Sequence, residues 1–273
     1  MKRRPRELID TGWKQSRNVG FLSLAKPASY IPDIVSGVAQ FCFERSAVLD
    51  GILITGDLAT TGMMSDIGVA NCFINEPATR GFVTENRFPT LNASNAPMYL
   101  LPGNHDKFTN TRGSPNGKNF ELKFGGHMRN FASGVGHWVQ RKKEHFVGFV
   151  FADFCLLARG DALDKGMGPY GQGRVYQHVL DELRNRTFVL RNRYEGIYLV
   201  WVIHFAPFDC GYRLQLIDRG DIVQSAVSLG IIATLCGHTH KSTKMVMINT
   251  LCIVAALLDA LIAKTTAVFI SFI

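Results

Sequence analysis

The sequence predicts an α/β fold in which strands and helices alternate and the sheets are covered on both faces. Short, wholly apolar runs such as Gly51–Thr55 are typical of strands buried on both faces. Between them lie stretches with apolar residues at helical spacing, such as Asp33–Glu44. At 273 residues and 47% hydrophobic, the chain can bury a substantial core, and we treat residues 1–273 as one domain with an atypical part at 1–30.

The elements follow from these patterns in chain order. Predicted strands are Val19–Leu24, Gly51–Thr55, Met98–Leu101, Val147–Ala158, Ile197–Ile203 and Ile231–Cys236. Predicted helices are Asp33–Glu44, Asp66–Ile74, Val175–Arg184 and Asp221–Leu229. Turn-rich composition indicates connections at 75–97, Phe108–Gly136 and Gly166–Gly173.

The apolar segment Met245–Ile273 has two interpretations. Asn249, Asp259 and Lys264 interrupt it, and no uninterrupted apolar run reaches the ~18–20 residues that a membrane span needs. We therefore expect two or three closing strands of a buried sheet. A membrane-associated form is the alternative.

Charge and cysteine content restrict the class of protein. The net charge of +8 suits an anionic substrate, but the basic clusters lack interleaved aromatics, so we interpret them first as solvated surface. The six cysteines are scattered without a Cys-x-x-Cys pair, which indicates reduced thiols in a cytoplasmic protein. The start of the chain has too long a basic region and too short an apolar run for a signal peptide.

Polar side chains follow four predicted strands directly. They are Asp57, Asn104, His204, and the pair His238 and His240. Ligands gather at the carboxyl ends of strands in open α/β sheets, and carboxylate, amide and imidazole groups together suit a divalent metal centre. His105 and Asp106 follow directly after Asn104. His105 would protonate or hydrogen-bond a leaving oxygen, and Asp106 would orient that imidazole.

Each of these residues has a simpler explanation when taken alone. Asp57 and Asn104 follow glycines and could be turn formers, and His204 could be a core histidine with satisfied hydrogen bonds. His238-x-His240 places both rings on one side only in an extended segment. The four segments together favour a metal centre that hydrolyses a phosphate ester.

Taken in order, these motifs resemble those of the calcineurin-like metallophosphoesterases. The matching segments are Gly56-Asp57, Gly103-Asn104-His105-Asp106, His204 and Gly237-His238-Thr239-His240. The resemblance covers about residues 50–273. It implies a four-layer α/β/β/α sandwich of two mixed sheets and a phosphomonoesterase or phosphodiesterase that uses a metal-activated water.

The resemblance also implies a role for each residue. Asp57 would bridge two metal ions, with Asn104, His204 and His238 completing one site and His240 belonging to the other. His105 would be the catalytic imidazole, assisted by Asp106. The metal would be Mn, Fe, Zn, Ni or Co, and the substrate a cyclic nucleotide, another small phosphoester or a nucleic-acid end.

One family motif is missing. No Asp-x-His occurs in the 273 residues, and Leu24 and Lys26 stand where the family pattern would place it. We expect that Met1 is not the natural start and that the missing ligands precede it, since Lys26 in a dication site would repel the metal. The alternative is true substitution, with Lys26 standing in for one cation, one metal per chain and altered catalysis.

Two functions from different classes therefore remain open. The first is a metal-dependent phosphoester hydrolase, with two metal ions if an Asp-x-His lies upstream. The second is a degenerate, non-catalytic member of the family that binds phosphate or a partner protein at the same edge.

Overall fold

The computed structural model describes most of the chain from the first predicted helix onward. The described residues are 32–59, 61–75, 90–108, 117–128, 130–157, 172–211, 214–239, 243–247, 250–254 and 267–270. The predicted strand Val19–Leu24, residues Leu24 and Lys26, most of Gly166–Gly173, and His240 lie outside them.

Helices and strands are interspersed along the described chain, as expected for an α/β fold, although several strands follow one another directly. The helices are α1 (Pro32–Glu44), α2 (Met64–Ile74), α3 (Asn104–Lys107), α4 (Lys118–Phe124), α5 (Gln177–Arg193) and α6 (Arg219–Ser228). The strands are β1 (Gly51–Ile54), β2 (Met98–Leu100), β3 (Val135–Lys142), β4 (His145–Ala152), β5 (Gly173–Arg174), β6 (Tyr198–Ile203), β7 (Leu216–Ile217), β8 (Ala233–Cys236), β9 (Thr243–Met247), β10 (Thr250–Val254) and β11 (Ala267–Ile270). Short 3-10 helices lie at Leu91–Ser94 and Gly125–His127.

The strands form two main sheets. The first has the order β11-β1-β2 and is parallel throughout its described strands. The second has the order β3-β4-β6-β8-β10-β9 and is mixed, because β4, β6, β8 and β10 run parallel while β3 and β9 pair antiparallel at its two edges. A small third sheet pairs β5 with β7.

Alternation along β1 shows how the layers form. Ile52 and Ile54 pack with residues of α1, α2 and α4, whereas Leu53, on the opposite face, packs between the two sheets. Strand β6 behaves in the same way, with Trp201 facing α5 and Val202 facing the first sheet. Since side chains alternate faces along a strand, each sheet is buried on both sides. The predicted order of helix, sheet, sheet and helix is confirmed.

Stacked aromatic rings fill the space between the sheets. The ring of Tyr99 on β2 lies 4.4 Å from that of Trp138 on β3, and Trp138 lies 5.1 Å from Phe149 on β4, measured between ring centroids. Trp138 also covers Gly51, where a Cβ atom would overlap its indole ring. The stack fixes the spacing between the sheets and hence between the loops at their ends.

The region Phe108–Gly136 differs from its prediction as a loop. Its described part contains helix α4, whose Phe120 and Phe124 are fully buried, and β3 begins at its end. The glycines and asparagines around these residues concealed their helical spacing. Helix α5 also extends beyond the predicted end at Arg184, because Leu190 continues its buried face.

Three further predictions concern the closing strands, a membrane span and the state of the cysteines. The three strands β9, β10 and β11 confirm the predicted closing strands in Met245–Ile273. Within the described residues, no helix combines the length and apolar content that crossing a bilayer requires. The five cysteines with described side chains all carry free thiols.

A partly buried ion pair joins the two sheets near their carboxyl ends. Lys107 Nζ on α3 lies 2.5 Å from Asp153 Oδ2, just after β4, and the two side chains are only 13% and 8% exposed. Asp153 Oδ1 also accepts the backbone N–H of Cys155, and the Cys155 thiol lies 3.7 Å from the carbonyl oxygen of Pro102. The segment after β4 therefore holds the loop after β2 at two points.

Breaking this pair on one side should destabilise the protein. We expect Lys107→Met to lower the free energy of unfolding by about 2 kcal/mol, because it leaves the partly buried Asp153 carboxylate without its cation. Chemical denaturation measures the change. The double variant Lys107→Met/Asp153→Asn should recover part of it, and Glu182→Gln, at a more exposed pair with Arg186, should cost under ~1 kcal/mol. A Lys107→Met protein as stable as wild type would contradict this role.

Candidate metal centre

The described ligand candidates converge at one edge of the two sheets. Asp57 follows β1, Asn104 follows β2, His204 follows β6 and His238 follows β8. Ligand nitrogen or oxygen atoms of Asp57, His204 and His238 all lie within 4.8 Å of one another. Asn104 joins this group, since its Oδ1 is 2.9 Å from His204 Nε2. All four residues are buried.

The loop after β1 has an unusual backbone that places Asp57. Gly56 has φ of 105° and Asp57 has φ of 59°, so the chain turns through the left-handed region twice in succession. A Cβ atom on Gly56 would lie 2.5 Å from the backbone nitrogen of Gly103, so only glycine allows the loops after β1 and β2 to approach this closely. His238, after β8, is also left-handed, with φ of 70°. Non-glycine residues in this region are uncommon and concentrate at functional sites.

A hydrogen bond from His204 decides which of its ring nitrogens faces the site. His204 Nδ1 lies 2.7 Å from the carbonyl oxygen of Thr55. A carbonyl oxygen can only accept, so Nδ1 carries a proton and donates it. In the neutral ring, Nε2 then presents its lone pair to the centre, as in histidines that bind metals.

Oxygen and nitrogen atoms that carry lone pairs therefore surround His204 Nε2. This atom lies 2.9 Å from Asn104 Oδ1, 3.3 Å from Asp57 Oδ2 and 3.2 Å from His238 Nδ1. Amide and carboxylate oxygens cannot donate, and the buried Asp57 Oδ2 has no hydrogen-bond partner. A single proton can pair only two of these atoms, whereas a divalent cation can accept electron pairs from all of them. The donor set and the unpaired oxygen thus fit a metal ion.

Electrostatic effects in the group agree with this arrangement. Burial would raise the pKa of Asp57, but the neighbouring His204, His105 and His238 outweigh it and hold that pKa well below its usual range. Burial would lower the pKa of His204, yet Asp57 beside it shifts the net pKa upward. Both shifts favour positive charge beside the Asp57 carboxylate, either as a proton on His204 Nε2 or as a divalent ion in its place.

Asp106 lies beneath this group with its carboxylate directed at backbone amides. Oδ2 accepts the N–H groups of Asp57 and Gly103, both at 2.8 Å, and Oδ1 accepts the N–H of Ala59 at 2.8 Å. Burial and the nearby Asp57 carboxylate raise the pKa of Asp106 to about 7. The expected contact of Asp106 with the His105 imidazole stays a prediction beside these backbone contacts.

His105 sits at the entrance to the group. Its backbone N–H donates to Asp57 Oδ1 at 3.1 Å, and the residue is half-buried, unlike the buried Asn104 and Asp106 on either side of it. A side chain that is both next to the ligands and reachable from solvent can contact a substrate.

Sequence reasoning missed one contributor to the centre and one residue, Asp153, that holds the loop after β2 through Lys107. Thr55 acts through its carbonyl oxygen, which leaves no signal in the side-chain pattern. Asp153 directly follows β4, in the same arrangement of strand and polar residue that identified the other sites, and this could have been noticed. His240 lies outside the described residues and stays a prediction.

Solved structures with this fold support the architecture. The structure titled "Crystal Structure of a dimetal phosphatase from Danio rerio" superposes with a TM-score of 0.58 and 11% identity, covering 84% of this chain and 79% of that one. The structure titled "GAP50 the anchor in the inner membrane complex of Plasmodium" superposes with a TM-score of 0.54 and 12% identity, covering 83% and 67%. No curated protein sequence matches the chain significantly.

Residues 31–242 match the family model described as calcineurin-like phosphoesterase, which spans well over half of the chain and includes every ligand candidate named above. The family is dimetal-dependent, and the described centre supplies one coherent set of ligands. The chain therefore belongs to the calcineurin-like phosphoesterases, a family of metal-dependent phosphoesterases.

Proposed function

We propose that the protein hydrolyses a small phosphomonoester or phosphodiester at the centre formed by Asp57, Asn104, His204 and His238. The observation that carries this proposal is the convergence of their lone pairs around His204 Nε2, with Asp57 Oδ2 buried and unpaired. His240, the fifth ligand predicted from the sequence, would join them in a second metal site.

The bound metal would supply Lewis-acid chemistry, neutralising phosphoryl oxygens and lowering the pKa of water. The protein itself holds the ligands in place through hydrogen bonds. Thr55 holds the His204 ring through Nδ1, and the N–H of His105 holds Asp57 through Oδ1, so neither ligand is free to rotate. His105 would donate a proton to the leaving oxygen, since it is half-buried beside the ligands.

The rest of the substrate needs a place beside this centre. A cavity of about 560 Å³ opens between the α4 region and the start of α5. Lys107, on the same helical turn as Asn104 and His105, and its partner Asp153 form part of its wall, whereas none of the described metal ligands does. Its volume lies in the range of small-molecule sites. Phe131 and Val179 add apolar surface, and Glu121 and His178 add polar groups. A small organic phosphoester that extends from the centre past Lys107 would use this mixed lining.

A second candidate function is a non-catalytic binding module. The observation that favours it is the absence of any Asp-x-His from the 273 residues, which leaves the ligands of one metal site incomplete in this sequence. Such a protein would bind at most about one metal ion per chain and would show no turnover.

Metal binding tests the centre itself. We expect titration with Mn²⁺ to show at least one site per chain, and His238→Ala to weaken it by at least about tenfold, because the ion loses a ligand. Isothermal titration calorimetry measures both. His145→Ala, an exposed histidine at the amino end of β4, is the matched control and should bind as wild type does. Equal affinity in wild type and His238→Ala would remove His238 from the site.

Turnover separates the two candidate functions. With Mn²⁺ present, we expect hydrolysis of an aryl phosphodiester, and we expect His105→Ala to reduce kcat by about 10²- to 10⁴-fold while Mn²⁺ still binds. The wild-type kcat should persist in His145→Ala. Unchanged turnover in His105→Ala would refute its assigned proton transfer. Metal binding without turnover by wild type under Mn²⁺, Fe²⁺, Zn²⁺, Ni²⁺ or Co²⁺ would favour the binding module.

A further inference from the structure

We propose that Asp106 is a positioning residue, whose carboxylate sets the metal-binding geometry by holding the backbone of the loop that carries Asp57. This inference rests on the proposed metal centre, and it adds to the predicted role of Asp106 in orienting the His105 imidazole.

The carboxylate of Asp106 binds backbone N–H groups from two loops. Three backbone N–H groups, from Asp57, Ala59 and Gly103, each donate to it at 2.8 Å. Two of them belong to the loop after β1 and one to the loop after β2. A single buried side chain thus gathers the amides of both loops that carry oxygen ligands.

Asp57 and Asp106 each accept a hydrogen bond from the loop that carries the other. Asp106 accepts the N–H of Asp57, while Asp57 Oδ1 accepts the N–H of His105 at 3.1 Å. Moving either loop would break both hydrogen bonds. The distance between the carboxylate of Asp57 and the amide of Asn104 is therefore fixed through the backbone.

The hydrogen bonds to Asp106 also stabilise the strained turn at Asp57. Asp57 has φ of 59°, a conformation that non-glycine residues adopt only when their surroundings compensate its cost. The hydrogen bond from the Asp57 N–H to Asp106 compensates it at the residue itself, and the bond from the Ala59 N–H does so two residues later. Without them, the loop would relax and Asp57 Oδ2 would leave the ligand group.

Burying the carboxylates of Asp57 and Asp106 together costs free energy. Asp57 and Asp106 are 7% and 0% exposed, so two carboxylates are buried close together. Burying like charges is unfavourable unless positive charge lies nearby. A metal ion on Asp57 would provide that charge, so the arrangement is understandable as part of a metal centre.

The variant Asp106→Asn tests the role with little change in shape. In either orientation of its amide, an NH₂ group would face at least one backbone N–H, so one or two of the three hydrogen bonds are lost. We expect the affinity for Mn²⁺, measured by calorimetry, to fall by about tenfold or more. We also expect the visible absorption spectrum of the Co²⁺-loaded protein to change, because the geometry of the ligands around the metal shifts.

Asp66→Asn is the matched control. Asp66 is another fully buried aspartate, and it accepts hydrogen bonds from the hydroxyl groups of Thr61 and Ser65, which can rotate to suit an amide. It should lose stability without a change in Mn²⁺ affinity or in the Co²⁺ spectrum. A mainly structural role for Asp106 would make the two variants alike.

Three results would overturn the inference. They are a loss of affinity in Asp106→Asn smaller than about tenfold, an equal loss in Asp66→Asn, and an unchanged Co²⁺ spectrum. If Asp106→Asn reduced turnover and left metal binding unchanged, Asp106 would act by orienting the His105 imidazole instead. If Asp106→Asn does not fold, Asp106→Glu replaces it, since glutamate also suits this position at a helix start. Its side chain is one methylene longer, so we expect the carboxylate and the amides that it holds to shift, and wild-type affinity together with a wild-type Co²⁺ spectrum in that variant would equally refute the role.

The proposed function fails in a different way. If wild type binds no divalent metal, the centre itself is wrong, and Asp106 plays no part in that result. If wild type binds metal and Asp106→Asn binds equally well, the centre stands and only the positioning role is lost.

Discussion

The close approach of the loops after β1 and β2 is the constraint on which the rest of the site depends. Gly56 and Gly103 lie against each other where neither could carry a side chain. This contact brings Asp57 and Asn104, from neighbouring parallel strands, to the point where His204 and His238 arrive from the other sheet. The aromatic stack around Trp138 and the Lys107–Asp153 pair then hold the two sheets at the separation that this meeting requires.

Electrostatic cost and function are closely related in this centre. A buried carboxylate with an unpaired oxygen is unfavourable in a folded protein unless a positive charge offsets it. Asp57 has such an oxygen, and the nearby histidines keep its negative charge. The same arrangement that weakens the empty fold prepares a strong site for a cation, so stability and metal affinity are expected to be linked.

Much of this arrangement could be predicted from the sequence, because the relevant signals are local. Apolar runs that end in Asp57, Asn104, His204 and His238 reveal both the strands and the edge where ligands meet. The alternation of helices and strands was likewise visible, although α4 was hidden among glycines and asparagines. Signals that depend on backbone atoms or on distant partners were not visible. The carbonyl of Thr55 and the amides that bind Asp106 have no side-chain pattern, and the partner of Lys107 is set by the packing of two sheets.

The pairing of β1 with β11 has a consequence for how the protein is made. Strand β1 carries the loop of Asp57, yet one of its two neighbours is the last described strand of the chain. During synthesis, β1 must therefore wait with one edge open until residues 267–270 have left the ribosome. An exposed strand edge is prone to pair with other chains, and contacts between distant segments form slowly. Nascent chains of this protein should therefore depend on chaperones until β11 is available to pair with β1.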